Sequence, residues 1–224
     1  YTPDNAVLTV AGDFDPAEAK RLVEKYFGTI PPGPALDRPA KSTVTLNGEK
    51  IVNASDRVPQ ERTYFAWHSP AYFDAGDAEL SLAASVLTNG LSARLNKALL
   101  YDQQLASNVV VFQSGQPLSG FFPMWVTARP GVQLKQVEDI IDTEIARLAA
   151  SGPTAEELER AKTKWEFGFV AGLERIGGFG GKSDLLNSYN TFLGDPGKFD
   201  ADLARHRAVT PDTMKAAVNK YLNN

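Results

Sequence analysis

The chain has no cysteine in 224 residues, only two histidines and two methionines. Without cysteine there is no disulfide, no thiolate zinc site and no cysteine nucleophile, and the redox compartment is left open. The histidines, His68 and His206, are far apart in sequence, and neither an H-x-x-E-H nor an H-E-x-x-H pattern occurs. Each is expected to be a surface or satisfied-core residue. A G-x-S-x-G nucleophile turn is also missing, so no serine hydrolase site is visible. No apolar run approaches membrane-spanning length, and no signal-peptide pattern occurs. Basic blocks are absent too: 23 Lys and Arg are mixed with 27 Asp and Glu for a net charge of −4, which argues against nucleic acid or an anionic membrane as partner. What remains is 43% hydrophobic residues, enough for a substantial core, as one large domain or as one domain with a piece of another. The chain starts at Tyr1 without Met, so any targeting segment is expected to lie elsewhere.

The run GGFGGKS at 177–183 is glycine-rich and ends in Lys-Ser, like a loop that cradles nucleotide phosphates. Such a loop needs G-x-x-x-x-G-K-[ST], and the position of its first glycine is occupied by Ile176. The preceding segment opens with Thr154 and Glu157 three residues later, the capping box of a helix rather than the end of a strand. The glycines at 177, 178, 180 and 181 therefore read as a hinge between helices: each costs about 1 kcal/mol relative to Ala inside a helix.

Along the chain, Asn5 to Gly12 reads as a short buried strand. A helix follows, with Asp15 as cap, Pro16 in its first turn, Glu18 closing a capping box and Gly28 as its end. Residues 31–41 are proline-rich and read as a semi-rigid linker. Two segments, Ser42 to Leu46 and Glu49 to Ala54, flank Asn47-Gly48 and predict a hairpin. Arg62 to Ser69 alternates Thr63, Phe65 and Trp67 against Tyr64, Ala66 and His68, which predicts a strand. Helices are expected from Asp74 to Thr88 and from Ser92, and a strand pair over 106–115 and 120–129. After Gly131 helices are expected over 132–150, 154–175, 182–193, 199–205 and 210–222. Strands followed by a run of helices indicate an α+β fold, an antiparallel sheet covered on one face.

Phe121, Phe122 and Trp125 share one of these strands and are candidates for lining a substrate groove, although aromatics so placed are more often core. The acid pairs Glu156-Glu157 and Asp139/Asp142 fall at solvent-facing helix spacing. On residues alone the reading ends at an α+β domain without a self-contained active site.

Three blocks carry a resemblance. Asn5 to Pro31 resembles the segment ending the first domain of pitrilysin/insulinase-type zinc metallopeptidases. His68 to Leu99, with a helix stopped by Gly90 before Ser92-Ala-Arg-Leu, is similar to the start of that family's second domain, and Gly152 to Trp165 to its late helix. The resemblance implies related α+β domains of the mitochondrial processing peptidase type. Two enzyme halves, fused or separate, close around a peptide chamber. It also implies a tail of the preceding domain at 1–30, the linker at 31–41 and a non-catalytic second domain at 42–224. Zinc is implied in the upstream domain, on an H-x-x-E-H helix whose Glu activates the attacking water; nothing in this chain matches that motif.

The family's partner half carries Arg and Tyr to hold the substrate and steady the transition state, whereas here Leu100 and Ser107 stand at those positions. Leu cannot donate to an oxyanion. The resemblance thus implies the second domain of the zinc-bearing half, with peptide substrate and the complementary half as partners. Its alternative is the same lobe in a catalytically inactive scaffold or assembly subunit. The tail 1–30, cut from its sheet, is expected to self-associate or fold back. With no ligand pair at coordinating spacing, the isolated chain should retain no stoichiometric zinc after mild chelation and should not cleave a quenched peptide. Metal analysis and fluorescence check both.

Overall fold

The computed structural model describes residues 2–37, 39–41 and 46–222. These divide into two compact units, one formed by 1–39 with 166–201 and the other by 40–165 with 202–224.

The larger unit is built on an antiparallel sheet of β1 (Arg62–Ser69), β2 (Ala106–Val111), β3 (Ser114–Gly115) and β4 (Gly120–Ala128), in the order β1-β4-β2 with β3 also on β4. β4 is central because its alternate residues Phe122, Met124, Val126 and Ala128 are all apolar and all buried. Pro123, which has no N–H to give, falls where β4 passes from pairing with β2 (Val111 opposite Met124) to pairing with β3 (Ser114 opposite Phe121). Helices α2 (Asp77–Thr88), α3 (Leu134–Ser151) and α7 (Pro211–Tyr221) pack on the face that these side chains share. Leu80, Leu87, Ile141, Leu148 and Met214 belong with Phe122 and Met124 to one core cluster and are fully buried.

α2 starts at Asp77, three residues later than its apolar period suggested, because Phe73 and Gly76 have φ of 66° and 99° and turn the chain before it can coil. Asp77 then anchors the turn: its carboxylate accepts the Phe73 N–H (3.1 Å), the Gln113 amide (3.1 Å) and the Arg205 guanidinium (2.6 Å). The helix expected from Ser92 is instead a π-helical segment over Asn96–Asp102. Of the expected hairpin, residues 42–45 lie outside the described residues; Glu49 to Ala54 form no strand, and Ile51 and Val52 are exposed. With no apolar layer to face, residues 49–54 lack what would hold them as a strand.

In the smaller unit, α1 (Pro16–Phe27) is capped as its sequence requires, with Asp15 accepting from the N–H groups of Ala17 (2.7 Å) and Glu18 (3.2 Å). The capping box does not close, because the Glu18 carboxylate takes the Arg21 guanidinium instead. Asn5 to Gly12 is not a strand either: Pro3–Asn5 forms a 3-10 turn, and 6–12 pairs with no described strand. α5 (Lys182–Leu193) supplies Tyr189, the fully buried large side chain of this unit, and Phe169 stacks on Phe199 at 4.8 Å. α4 (Ala155–Gly172) and α6 (Phe199–Arg207) each run from one unit into the other along the chain. None of the described helices is long and apolar enough to cross a membrane.

A Cβ on Gly120 would stand 2.1 Å from the Pro70 carbonyl oxygen and 2.6 Å from Ser69 Oγ, inside the end of the β1–β4 ladder. Gly120→Ala should therefore cost about 1–3 kcal/mol, read as a lower urea midpoint. Gly168→Ala, whose Cβ meets open space inside α4, should raise stability by up to about 1 kcal/mol in the same titration.

Candidate functional site

The helices cover one face of the sheet, and the other face is left to a set of side chains that the two-residue repeat selects. These are Arg62, Tyr64, Ala66 and His68 on β1, opposite Thr127, Trp125, Pro123 and Phe121 on β4, with Val110 of β2 on the far side of Trp125. The aromatic groups form a row: Tyr64 lies 6.5 Å from Trp125, and Phe112 meets the Trp125 ring edge-on at 5.7 Å. Tyr64 is 67% exposed and Phe121 44%. Ala66 and Pro123 form a low floor between the Tyr64–Trp125 ridge and the His68–Phe121 ridge.

The three aromatic candidates of β4 are therefore divided. Phe121 and Trp125 belong to this uncovered face, whereas Phe122 points to the helices and is fully buried in the core. Grouping them overlooked the strand's alternation. Tyr64 and Phe112, which complete the row, were not singled out, although the alternation of β1 already placed Tyr64 opposite Phe65 and Trp67. Leu100 lies in the π-helical segment, partly buried against the core, and Ser107 is exposed, its hydroxyl 3.4 Å from the Thr127 carbonyl.

His68 is exposed on the open face, and His206 is buried. The His206 ring stacks on Trp165 at 3.4 Å, and its Nδ1 stands 2.9 Å from the Asp202 carbonyl oxygen and 3.3 Å from that residue's carboxylate. Arg205 joins Asp202 to Asp77, with 2.6 Å to each, and lies over the Phe73 ring at 4.1 Å. Burial, reinforced by the nearby Asp202 carboxylate, pushes the neighbouring Tyr72 phenol well above its usual range. The cluster consists of buried charges tied to one another. Among the described residues no three His, Asp, Glu or Cys side chains come together to hold a metal ion.

The glycine-rich loop does not present a row of free N–H groups at the start of α5. Gly177, Gly178, Gly180 and Gly181 lie outside any helix, between α4 and α5. The N–H groups that would point at an anion are already used: Gly181 donates to Gly178, Lys182 to Arg175, Ser183 to Ile176, and Gly180 to the carboxylate of Asp184 at 2.8 Å.

A second polar group was missed in the sequence. Glu157, expected to face solvent with Glu156, is only 16% exposed in its side chain and takes Arg94 in two parallel bonds of 2.8 and 2.7 Å. Arg94 also donates to the Gly152 carbonyl, and the Thr154/Glu157 capping box closes around the same carboxylate. The bonds from Arg94, opposed by burial, hold the Glu157 carboxyl below its ordinary range. The cleft beside it also contains Lys97, Asp102, Glu144 and Arg147, but Lys97 is paired with Asp102 and Arg147 with Glu144, so little charge is left for a ligand.

The larger unit is thus an α+β lobe with helices on one face of an antiparallel sheet. Residues 1–164 match the family described as the peptidase M16 inactive domain, and the chain belongs to the peptidase M16 family. It is 28% identical over 232 residues to an uncharacterized zinc protease of Streptomyces coelicolor, covering 99% of this chain and 49% of that protein. A protease from Helicobacter pylori shares the fold with a TM-score of 0.80 at 20% identity, over 98% of this chain and 53% of its own. The peptidase M16 inactive domain from Pseudomonas fluorescens does so with a TM-score of 0.67 at 21% identity, over 95% of this chain and 49% of its own. The chain spans about half the length of the curated relatives it matches.

Arg94→Ala leaves Glu157 half-buried without its cation and should cost about 1–3 kcal/mol, with Arg94→Lys recovering only part. Because the folded carboxyl titrates below its unfolded value, the Glu157 contribution is complete above the ordinary carboxylate range and fades as pH falls through the depressed folded value. The stability difference between wild type and Glu157→Gln should accordingly shrink in acid urea titrations and reach its plateau by neutral pH.

Proposed function

We propose that this chain is the non-catalytic lobe of a zinc metalloendopeptidase and forms one wall of a peptide-holding chamber. The observation that carries the reading is the sheet, with its helices on one face and a row of Tyr64, Trp125 and Phe112 on the other. An uncovered face of this kind needs an occupant, and an extended peptide resting on aromatic rings suits it. Zinc and its activating Glu belong to the domain upstream in the same half of the longer protein, and the complementary half, fused or separate, is the lobe's partner. In this reading 1–30 is the tail of the preceding domain, 31–41 the linker and 42–224 the lobe itself. The exposed Val7, Leu8, Tyr26 and Phe27 of the tail are then covered by that preceding domain or by a second copy. Gly177, Gly178, Gly180 and Gly181 act as the hinge that lets the lobe adjust around peptide. Leu100 and Ser107 leave transition-state contacts to the complementary half.

The test uses the full-length protein with a quenched peptide. Cleavage should be lost to a chelator and restored by zinc, and the present chain alone should be inert. Trp125→Ala in the full-length protein should raise KM by about tenfold with kcat nearly unchanged, because it removes binding that ground and transition states share. Unchanged KM would remove the wall from the reading. Chelator-resistant or absent cleavage would remove the peptidase and leave a scaffold.

A further inference from the structure

We infer that the uncovered sheet face carries a carboxylate subsite, and that the peptides it takes place an acidic side chain next to a large apolar or aromatic one. The inference rests on the reading of this face as a peptide wall and adds its selectivity. Two arginines stand at one end of the face. Arg62 begins β1, and Arg129 follows Thr127 by the same two-residue repeat that selects Phe121, Pro123 and Trp125. Both are exposed, and both bond only to neutral oxygens. Arg62 donates from Nε to Thr127 Oγ1 at 2.9 Å and from its terminal nitrogen to Tyr64 Oη at 3.1 Å; Arg129 donates from Nε to the Ala106 carbonyl at 3.3 Å. Neither forms an ion pair among the described residues, unlike Arg94, Arg147 and Arg205 of the same unit.

These bonds hold the guanidinium groups down on the sheet and leave several N–H donors free for a fork-shaped partner. The Arg62 guanidinium lies 5.8 Å from the centre of the Tyr64 ring, and Tyr64 leads on to Trp125 and Phe112. Cationic groups beside an apolar shelf are complementary to an anionic group beside an apolar one. A peptide main chain resting on the rings passes above the arginines, whose donors lie at the level of Tyr64 Oη, so a carboxylate on a side chain turned toward the sheet is placed to meet them. The occupant is therefore an internal Asp or Glu flanked by Phe, Tyr, Trp or Leu.

Fluorescence anisotropy on this chain tests the point with C-terminally amidated peptides that differ only in carrying Glu, Gln or Lys before a Phe. The Glu peptide should bind about tenfold or more tighter than the Gln peptide, and the Lys peptide more weakly still. In Arg62→Gln/Arg129→Gln, whose amides can replace the Nε donors to Thr127 and Ala106 but carry no charge, Glu and Gln peptides should converge to within about twofold. A Gln peptide with a free C-terminal carboxylate that binds as tightly as the amidated Glu peptide overturns the side-chain subsite. Equal binding of all three amidated peptides, lost in Trp125→Ala, overturns the carboxylate subsite and leaves the wall reading intact. Binding of none, with the face closed by dimerisation of this chain, overturns both.

Discussion

The larger unit depends on a sheet that, among the described residues, carries helices on one side only. β4 has neighbours along both edges, so its backbone is satisfied laterally, and its apolar face is buried under the core to which α2, α3 and α7 contribute. Burying Phe122, Met124 and Val126 at roughly 1.5–3 kcal/mol each sets the register of β1 and β2, because a slip of one residue would exchange them for Phe121, Pro123 and Trp125. The same alternation that builds the core thus necessarily exposes an aromatic row on the reverse. Core and candidate surface are the two outputs of one strand.

Polar anchors then fix what apolar packing leaves loose. Arg94 and Glu157 join the chain ahead of the π-helical segment to the first turn of α4, and the Gly152 carbonyl ties in the end of α3. Asp77 does the same at the other side of α2, where Arg205 and Gln113 reach it from α6 and from the turn after β2. These charges are partly or fully buried, and each has its counter-charge, the arrangement under which burial of charge is tolerated. Stability in this unit is therefore sensitive to removal of one partner, and much less so to exposed pairs such as Lys20 with Glu24.

Features decided within one helical turn were legible in the sequence. Asp15-Pro16 and Thr154 with Glu157 announce helix starts because the hydrogen bonds they need are three residues away. Features decided by distant partners were not. Glu157 looks like a surface acid until Arg94, 63 residues earlier, is folded against it. Phe122 and Phe121 are neighbours of equal hydrophobicity, and only the side on which helices pack tells them apart. Residues 6–10 have a strand's composition, yet a strand is a relation between segments, and no described segment pairs with this one. The hairpin segment at 49–54 failed for a similar reason, its Ile51 and Val52 having no apolar layer to face. Family membership was legible where the fold details were not, because caps, helix stops and apolar spacing recur in order along the chain even when individual pairings are hidden.

The separation of closed from open charge also argues for how such a lobe can work without chemistry of its own. Catalytic groups need unsatisfied valences held in place, a lone pair for a metal or a donor for an oxyanion, at the cost of local stability. Inside this chain Asp77, Asp202 and Glu144 have spent theirs on arginines, and Nδ1 of His206 on Asp202. On the uncovered face the balance is reversed: Arg62 and Arg129 lean on neutral oxygens, and their charge remains available. A surface with fixed, uncommitted cations beside fixed aromatic rings can sort peptides by sequence while contributing nothing to bond cleavage. Under the proposed function, selection and catalysis reside in different domains of the longer protein, and each can change without disturbing the other.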